Sequence, residues 1–427
     1  MKLSKYNILI EDKDKCYIFN TRSLAIVEID ANIKTAISQN DLSIEKEYID
    51  AFYENGLIVD NDENEFLSVK NDYWNCVCSE QALFISIMPT LNCNLRCPYC
   101  FEHHDNNNIT PEVEESILAY VKDKITNTNL EILKVDWYGG EPTLKMDVIA
   151  RMANKFIEIC AENGLTYISS ITTNATLLSE KNARILKEAA VTHMQITIDG
   201  PKEVHDVRRV GINGEGTFDK IVGFIRDYKE IFEIVIRINV DKSNEHEVDE
   251  LLEYLADNGF KDVPITIKGI VSSEERDVTD TQLEGKMLSD VIYQKNRHAI
   301  ELGLKPAVLQ YFDLKSDNFC IVDCLNQYII SPDGRLFKCG ESYLDSDPGY
   351  VGKIDVEKKE FELNEALTNK WIKDPFVDDK CQECEILPMC YGGCQMKRNV
   401  KKSCPCNMDL KYHLKDYILL YLQSLEE

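Results

Sequence analysis

The chain has 427 residues, of which 44% are hydrophobic and 29% charged, and a net charge of −26. That length exceeds one small core and calls for two or three domains. The negative charge argues against nucleic acid as a partner, because binding phosphates takes a basic surface, and no run approaches the roughly 18 apolar residues that span a bilayer.

Residues 1–72 read as a small separate unit. YNILIE and CYIFNT flank DKDK as a hairpin. LSIEKEYIDAFYENGLIVD reads as a helix ending at Gly56, then a strand. The acidic turn NDENE completes a helix-then-wing order, and YWNCVCSEQA supplies a linker over 73–82. The N-terminal stretch MKLSKYNILIEDKDK lacks the apolar core and cleavage site of a secretory signal. The expectation is a cytoplasmic protein without a membrane partner.

From residue 83 the pattern alternates. LFISIMP is strand-like, and PEVEESILAYVKDKI is helical, with Thr110 as cap and Pro111 at the first helical position. LKVDWYGG, YISSITTN, HMQITIDG, IVIRINVD and VPITIKGIV are further strands, each followed by a helical stretch. Six such repeats over 83–305 make an α/β domain with a parallel sheet. A partial (β/α)6 barrel of the TIM type is the natural form, and a doubly wound open sheet is the rival. Over 306–427 short strands, turns and cysteines replace the repeats. QYIISPDGRLFKC reads as a hairpin turning at Pro332-Asp333-Gly334, and DLKYHLKDYILLYLQSL as an amphipathic helix. A small metal-stapled domain is expected there.

Sixteen cysteines are many for a reducing compartment, where disulfides do not persist. They cluster. Cys93, Cys97 and Cys100 form one group, and Cys320, Cys324 and Cys339 a second. Cys381, Cys384, Cys390, Cys394, Cys404 and Cys406 crowd the C-terminal region. Cys16, Cys76, Cys78 and Cys160 fall outside these groups and read as unligated thiols. Clustering of this kind points to metal ligation.

Four stretches carry chemistry. Cys93, Cys97 and Cys100 follow a strand with spacing C-x3-C-x2-C. Three thiolates can hold three irons of a 4Fe–4S cube and leave the fourth open to a chelating amino acid. A zinc site completed by His103 or His104 is the alternative. Tyr138-Gly139-Gly140-Glu141-Pro142 follows the next strand. Its glycines would let a ligand approach the backbone and Glu141 could receive an ammonium group, although a plain strand-to-helix turn has the same look. Thr172-Thr173-Asn174 and Thr197-Ile198-Asp199-Gly200 end the two strands after that. In a parallel barrel such strand ends converge on one face, where active sites form.

C-x3-C-x2-C with Tyr99 inside it, followed by GGEP, resembles the radical S-adenosylmethionine (SAM) superfamily. The resemblance implies a cluster on Cys93, Cys97 and Cys100 that cleaves bound SAM to a 5′-deoxyadenosyl radical. It also implies that Gly139, Gly140 and Glu141 meet the methionine amino group, that Thr197 contacts the ribose, and that Arg209 holds the methionine end, with Asn174 a neighbour. The C-terminal cysteines are similar to the SPASM domain, which holds two auxiliary 4Fe–4S clusters. By that resemblance Cys320, Cys324, Cys339 and Cys394 hold the first. Cys381, Cys384, Cys390 and Cys406 hold the second, with Cys404 as the alternative last ligand. Three clusters and SAM are the implied cofactors, with a one-electron donor such as flavodoxin or ferredoxin.

By the same resemblance the substrate is expected to be a peptide or protein, since SPASM proteins mostly modify these. Anaerobic sulfatase maturases carry an Asp directly after the cysteine that matches Cys339; this chain has Gly340 and then Glu341, a possible displaced base. The other branch installs thioether or carbon–carbon crosslinks in ribosomally made precursor peptides. Its members often carry an N-terminal winged-helix-like unit for the leader peptide, which residues 1–72 resemble in size and order. The expectation is a peptide maturase, with formylglycine formation as runner-up. A reading of another class is an iron–sulfur electron carrier or zinc-stapled binding protein without radical chemistry.

Overall fold

The computed structural model describes residues 1–102, 104–272, 277–313, 320–340, 349–372, 374–400 and 405–426. They fall into two compact units. One gathers Met1–Cys78, Val308–Asp323 and Lys373–Glu427; the other comprises Ser79–Ala307 and Cys324–Ile372. The segment 306–427 therefore contributes to both.

The second unit is built on β1 (Ala82–Ile87), β2 (Ile132–Trp137), β3 (Thr166–Thr173), β4 (Val191–Thr197), β5 (Glu233–Val240) and β6 (Pro264–Gly269). Each pairs in parallel with the next. A doubly wound sheet reverses its strand order at a switch point; here the order runs β1 to β6 without reversal. With right-handed crossovers, that order keeps the helices on one face, as in a barrel wall. Burial alternates accordingly. Leu83, Ile85 and Ile87 of β1 and Leu133, Val135 and Trp137 of β2 are fully buried, while Phe84, Ser86, Lys134 and Asp136 between them remain partly exposed.

The repeats form for local reasons. Thr110 accepts from the Val113 N–H at 3.4 Å and Pro111 opens the helix Pro111–Asn127. Gly164, at φ +70°, closes Met146–Asn163. Beyond β1 the sheet continues through Gln327–Ile330, parallel to β1, and then three antiparallel strands. Gln327–Ile330 and Arg335–Phe337 are the expected hairpin.

In the first unit, Asn7–Asp12 and Lys15–Asn20 pair as the expected hairpin, and Ile26–Ile29 adds an edge strand. The helix Lys46–Glu54 is followed by Gly56 at φ +71°, and Ile58–Val59 pairs with Lys2–Leu3. The expected linker starts differently. Residues 73–77 belong to a helix, Glu65–Val77, whose N-terminus is capped by Asn64 accepting from the Leu67 N–H. Val69, Tyr73 and Val77 are buried at helical spacing, which the acidic turn before them and the apolar residues scattered between them hid in the sequence. Among the described residues no helix is long and apolar enough to cross a membrane.

Candidate active site

The chain leaves β1 and enters the loop that carries the first three cysteines. Cys93 and Cys97 are buried, Cys100 is half-buried, and all three pack with Leu95 and Tyr99. Backbone bonds pin this loop to the stretch after β4: Arg96 N–H donates to Val210 C=O at 2.9 Å, and Ile212 N–H to Asn94 C=O at 3.0 Å. Burial pushes the thiols up, Cys93 to about 11 and Cys100 to about 12, with Glu141 adding to the first and Glu102 to the second. Bare, they stay protonated at neutral pH, so binding a metal must displace protons. Two N–H groups already face the Cys93 sulfur, from Leu95 at 3.4 Å and from the Asn174 amide at 3.7 Å. His104 Nε2 stands 3.5 Å from the Cys100 sulfur. His103 lies outside the described residues.

The GGEP loop packs against the chain that leads to Cys93. The glycines approach the chain itself. A Cβ on Gly139 would stand 2.6 Å from the Thr90 carbonyl oxygen, and one on Gly140 would stand 2.4 Å from that of Asn92. Gly140 N–H donates to Thr90 C=O and Glu141 N–H to Asn92 C=O. The pair is small because it lies against the loop leading to Cys93. Nor is the Glu141 carboxylate open to an ammonium group. It is fully buried and accepts from the Thr143 N–H (3.0 Å), the Thr143 and Thr173 hydroxyls (2.5 and 2.6 Å) and the Asn174 N–H (2.7 Å). Glu141 ties the end of β2 to the end of β3. Burial raises its pKa and these hydrogen bonds oppose the rise.

A second knot joins the cysteine loop to β4 and β5. The Tyr99 phenol donates to Asp199 and accepts from Arg209 Nη1 at 2.8 Å. Asp199, fully buried, also accepts from the Asn239 N–H at 2.9 Å. Arg208 pairs with Asp241 at 3.0 Å, and its guanidinium lies 4.9 Å from the centre of the Tyr99 ring. His205 is buried beside Arg209 and Arg208, which holds it neutral. Its Nδ1 accepts from the Asp199 N–H, so Nε2 carries the proton toward Thr217. Thr197 is buried at the end of β4, opposite Arg237 in register. Cys93, Cys97, Tyr99, Glu141, Asn174 and Arg209 are thus joined in one network of packing and hydrogen bonds. Asp199, Arg208, His205 and Asn239 complete it and were missing from the expected set. Asp199 had a signal, its place in TIDG near Thr197, and Arg208 had one, its place beside Arg209; His205 and Asn239 had none.

The model of the Radical SAM superfamily matches residues 87–267. Those residues form a radical SAM domain. The match runs from the end of β1 into β6 and takes in all of the network above. The cysteine-type anaerobic sulfatase-maturating enzyme of Clostridium perfringens (strain 13 / Type A) is 26% identical over 347 residues, 76% of this chain and 91% of that enzyme. The radical SAM cyclopropyl synthase TigE of Paramaledivibacter caminithermalis is 22% identical over 444 residues, 92% of this chain and 89% of that protein. Streptococcus suis SuiB, solved bound to its precursor peptide SuiA, has the same fold at a TM-score of 0.50 and 15% identity, covering 96% of this chain and 99% of that one.

The radical SAM family uses a 4Fe–4S cluster and SAM, and the first three cysteines suit that cluster chemically. They are three soft donors on one short loop, with N–H groups facing a ligand sulfur. Among the described residues no three His, Cys, Asp or Glu side chains close on a single ion-sized point.

Of the C-terminal cysteines, Cys320 and Cys394 lie in the first unit and Cys324 and Cys339 in the second. Cys381, Cys384, Cys390 and Cys406 all lie in the first unit, half-buried. Burial raises the Cys390 thiol, Cys384 and Cys381 raise it further, and the Asn407 N–H next to Cys406 opposes them. Cys404 and Glu341 lie outside the described residues.

Proposed function

We propose that this chain is a radical SAM peptide maturase that forms a thioether or carbon–carbon crosslink in a ribosomally made precursor peptide. The observation that carries this reading is coverage. The likeness to TigE and to the peptide-bound SuiB runs through more than nine-tenths of the chain, whereas the sulfatase-maturating relative accounts for three-quarters of it.

When bound, the cluster and SAM supply a 5′-deoxyadenosyl radical that removes a hydrogen atom from the substrate. The protein's part is positioning. Glu141 and the glycine pair hold the loop before Cys93 against the ends of β2 and β3. Tyr99, Asp199 and Arg209 hold the far side of the same loop. In this reading Thr197, Asn174, Arg209 and the backbone of 139–141 take SAM, and the partly exposed face of β1 to β5 receives the peptide. Cys320, Cys324, Cys339 and Cys394 hold one auxiliary cluster, and Cys381, Cys384, Cys390 and Cys406 the other. Residues 1–72 act as a winged-helix-like leader-binding domain. The edge strand Ile26–Ile29 supports that role, since an extended leader can add to it by backbone hydrogen bonds. A cytoplasmic flavodoxin or ferredoxin delivers the electron.

Coexpression with the short reading frames beside the gene tests this. The expected product is a peptide two hydrogens lighter per crosslink, formed only when the leader is present. A second reading, formylglycine formation, is supported by the 26% identity to the sulfatase-maturating enzyme. A mass change matching formylglycine in a sulfatase-type peptide, with no crosslinked product, would replace the first reading by the second.

A further inference from the structure

Arg398 is a largely but not fully covered cation in the cysteine-rich part of the first unit with no task in the function above. It sits in a short π-helical turn, Met396–Val400, just after Cys394. Such wide turns recur at functional sites. Its Nη2 donates to the Cys381 sulfur at 3.4 Å and to the Gly392 carbonyl at 2.5 Å. Nη1 stands 3.5 Å from a carboxylate oxygen of Asp378, and the arginine side chain is 14% exposed against 41% for that aspartate. Water therefore screens the negative partner more than the positive one. The Nε is buried with no hydrogen-bond partner among the described residues.

The surrounding backbone leaves room for this group. Gly392 adopts φ +82°, and a Cβ there would stand 3.0 Å from Arg398 Nη2 and 2.5 Å from Pro375 Cβ. Neighbouring Gly393, at φ +75°, would drive a Cβ to 1.9 Å from the Pro405 carbonyl oxygen, beside Cys406. The two glycines of YGGC thus admit the guanidinium on one side and the Cys406 strand of chain on the other.

We propose that Arg398 raises the reduction potential of the iron–sulfur cluster held by Cys381, Cys384, Cys390 and Cys406. The proposal rests on the two-auxiliary-cluster reading above. A reduced cluster carries one more negative charge than an oxidised one. A guanidinium that donates to a ligand sulfur, in a poorly solvated place, stabilises the reduced form more; cluster potentials follow charge, hydrogen bonds to sulfur and exposure. Arg398 is then a positioning residue that keeps this cluster ready to accept an electron.

The test uses the full-length chain with Cys93, Cys97 and Cys100 changed to alanine, reconstituted anaerobically with iron and sulfide so that the remaining cysteines alone bind clusters. A redox titration followed by electron paramagnetic resonance compares this protein with the same protein carrying Arg398→Met or Arg398→Lys. The Met form should hold the same iron while one reduction wave moves to more negative potential. A tenfold change in the reduction equilibrium, ~59 mV for one electron, is the expected scale. The Lys form should lie between. If the Met form loses iron, Arg398→Gln, which keeps an N–H donor without the charge, is read the same way. Unmoved waves at equal iron overturn the proposal and leave Arg398 a clamp for the Gly392 loop. Absence of iron in the Arg398 protein itself overturns the auxiliary-cluster reading and the proposal with it.

Discussion

The Tyr99 phenol, set between Cys97 and Cys100, donates to the buried carboxylate of Asp199, two residues past the end of β4. Arg209 Nη1 donates to the same phenol oxygen. One hydroxyl therefore joins the cysteine loop to two further segments. Tyr99→Phe keeps the ring over Arg208 and removes the hydroxyl, leaving Asp199 and Arg209 each short of a partner. We expect a loss of about 1–3 kcal/mol in stability. Formation of 5′-deoxyadenosine should fall about tenfold, the equivalent of ~1.4 kcal/mol in positioning. Anaerobic thermal denaturation and chromatographic product assay measure the two.

Gly140→Ala is expected to dislodge the cluster proposed on Cys93, Cys97 and Cys100 and to leave any iron held elsewhere in the chain in place. The new methyl group would meet the backbone oxygens of Asn92 and Leu91 at 2.4 and 2.5 Å, and backbone cannot rotate away as a side chain can. The loop must shift just where it reaches Cys93. Reconstituted protein should hold about four irons fewer per chain than the unchanged protein. Full iron content with normal SAM cleavage would show that the loop tolerates the shift.

Glu141→Gln tests the knot between β2 and β3. Both carboxylate oxygens accept, and every partner at them is a donor. An amide puts N–H groups against donors on one side, whichever way it is turned. The expected cost is about 2–4 kcal/mol, that of a buried hydrogen-bond network broken at one member. Chemical denaturation of the variant would show it. A variant as stable as the parent would mean that the Thr143 and Thr173 hydroxyls re-aim without cost.

Asp136, partly exposed on the face of β2 opposite Val135 and Trp137, gives a pH signature. Burial pushes its carboxyl up to about 6, while the Ser170 hydroxyl at 2.8 Å and Lys134 pull the other way. The unfolded chain ionises near pH 4. Between about pH 4 and 6 the folded protein holds a proton that the unfolded chain has lost, so stability falls as pH rises through that window. Asp136→Asn removes the effect and keeps an acceptor for Ser170. It should be more stable than the parent above pH 6, by ~2 kcal/mol or less given partial exposure, and the gap should narrow toward pH 4. Urea denaturation at pH 5, 6, 7 and 8 follows the gap; one that stays constant with pH would assign the shift to another group.

Much of the fold was readable because its signals are local. Alternating apolar residues and a Thr-Pro or Gly boundary define a strand or a helix from a few neighbours, so all six strand–helix repeats stand where their patterns placed them. The helix Glu65–Val77 escaped because the acidic stretch before it reads as a turn and its buried residues sit four apart among other apolar side chains. The site was readable as types and spacings. C-x3-C-x2-C and GGEP announce themselves because close spacing along the chain is what puts ligands on one loop.

Partners distant in the chain left no such trace. The sequence alone determined that Cys93, Cys97 and Cys100 share a loop after the first strand and that Gly139 and Gly140 follow the second. Only the tertiary structure decided that the glycines make room for the Asn92 backbone, that Glu141 is consumed by Thr143, Thr173 and Asn174, and that Tyr99 meets Asp199 a hundred residues on. The physical reason is that a buried polar group must find whichever donors and acceptors the packed strands bring within about 3 Å, and strand register, which no short motif records, sets which ones those are.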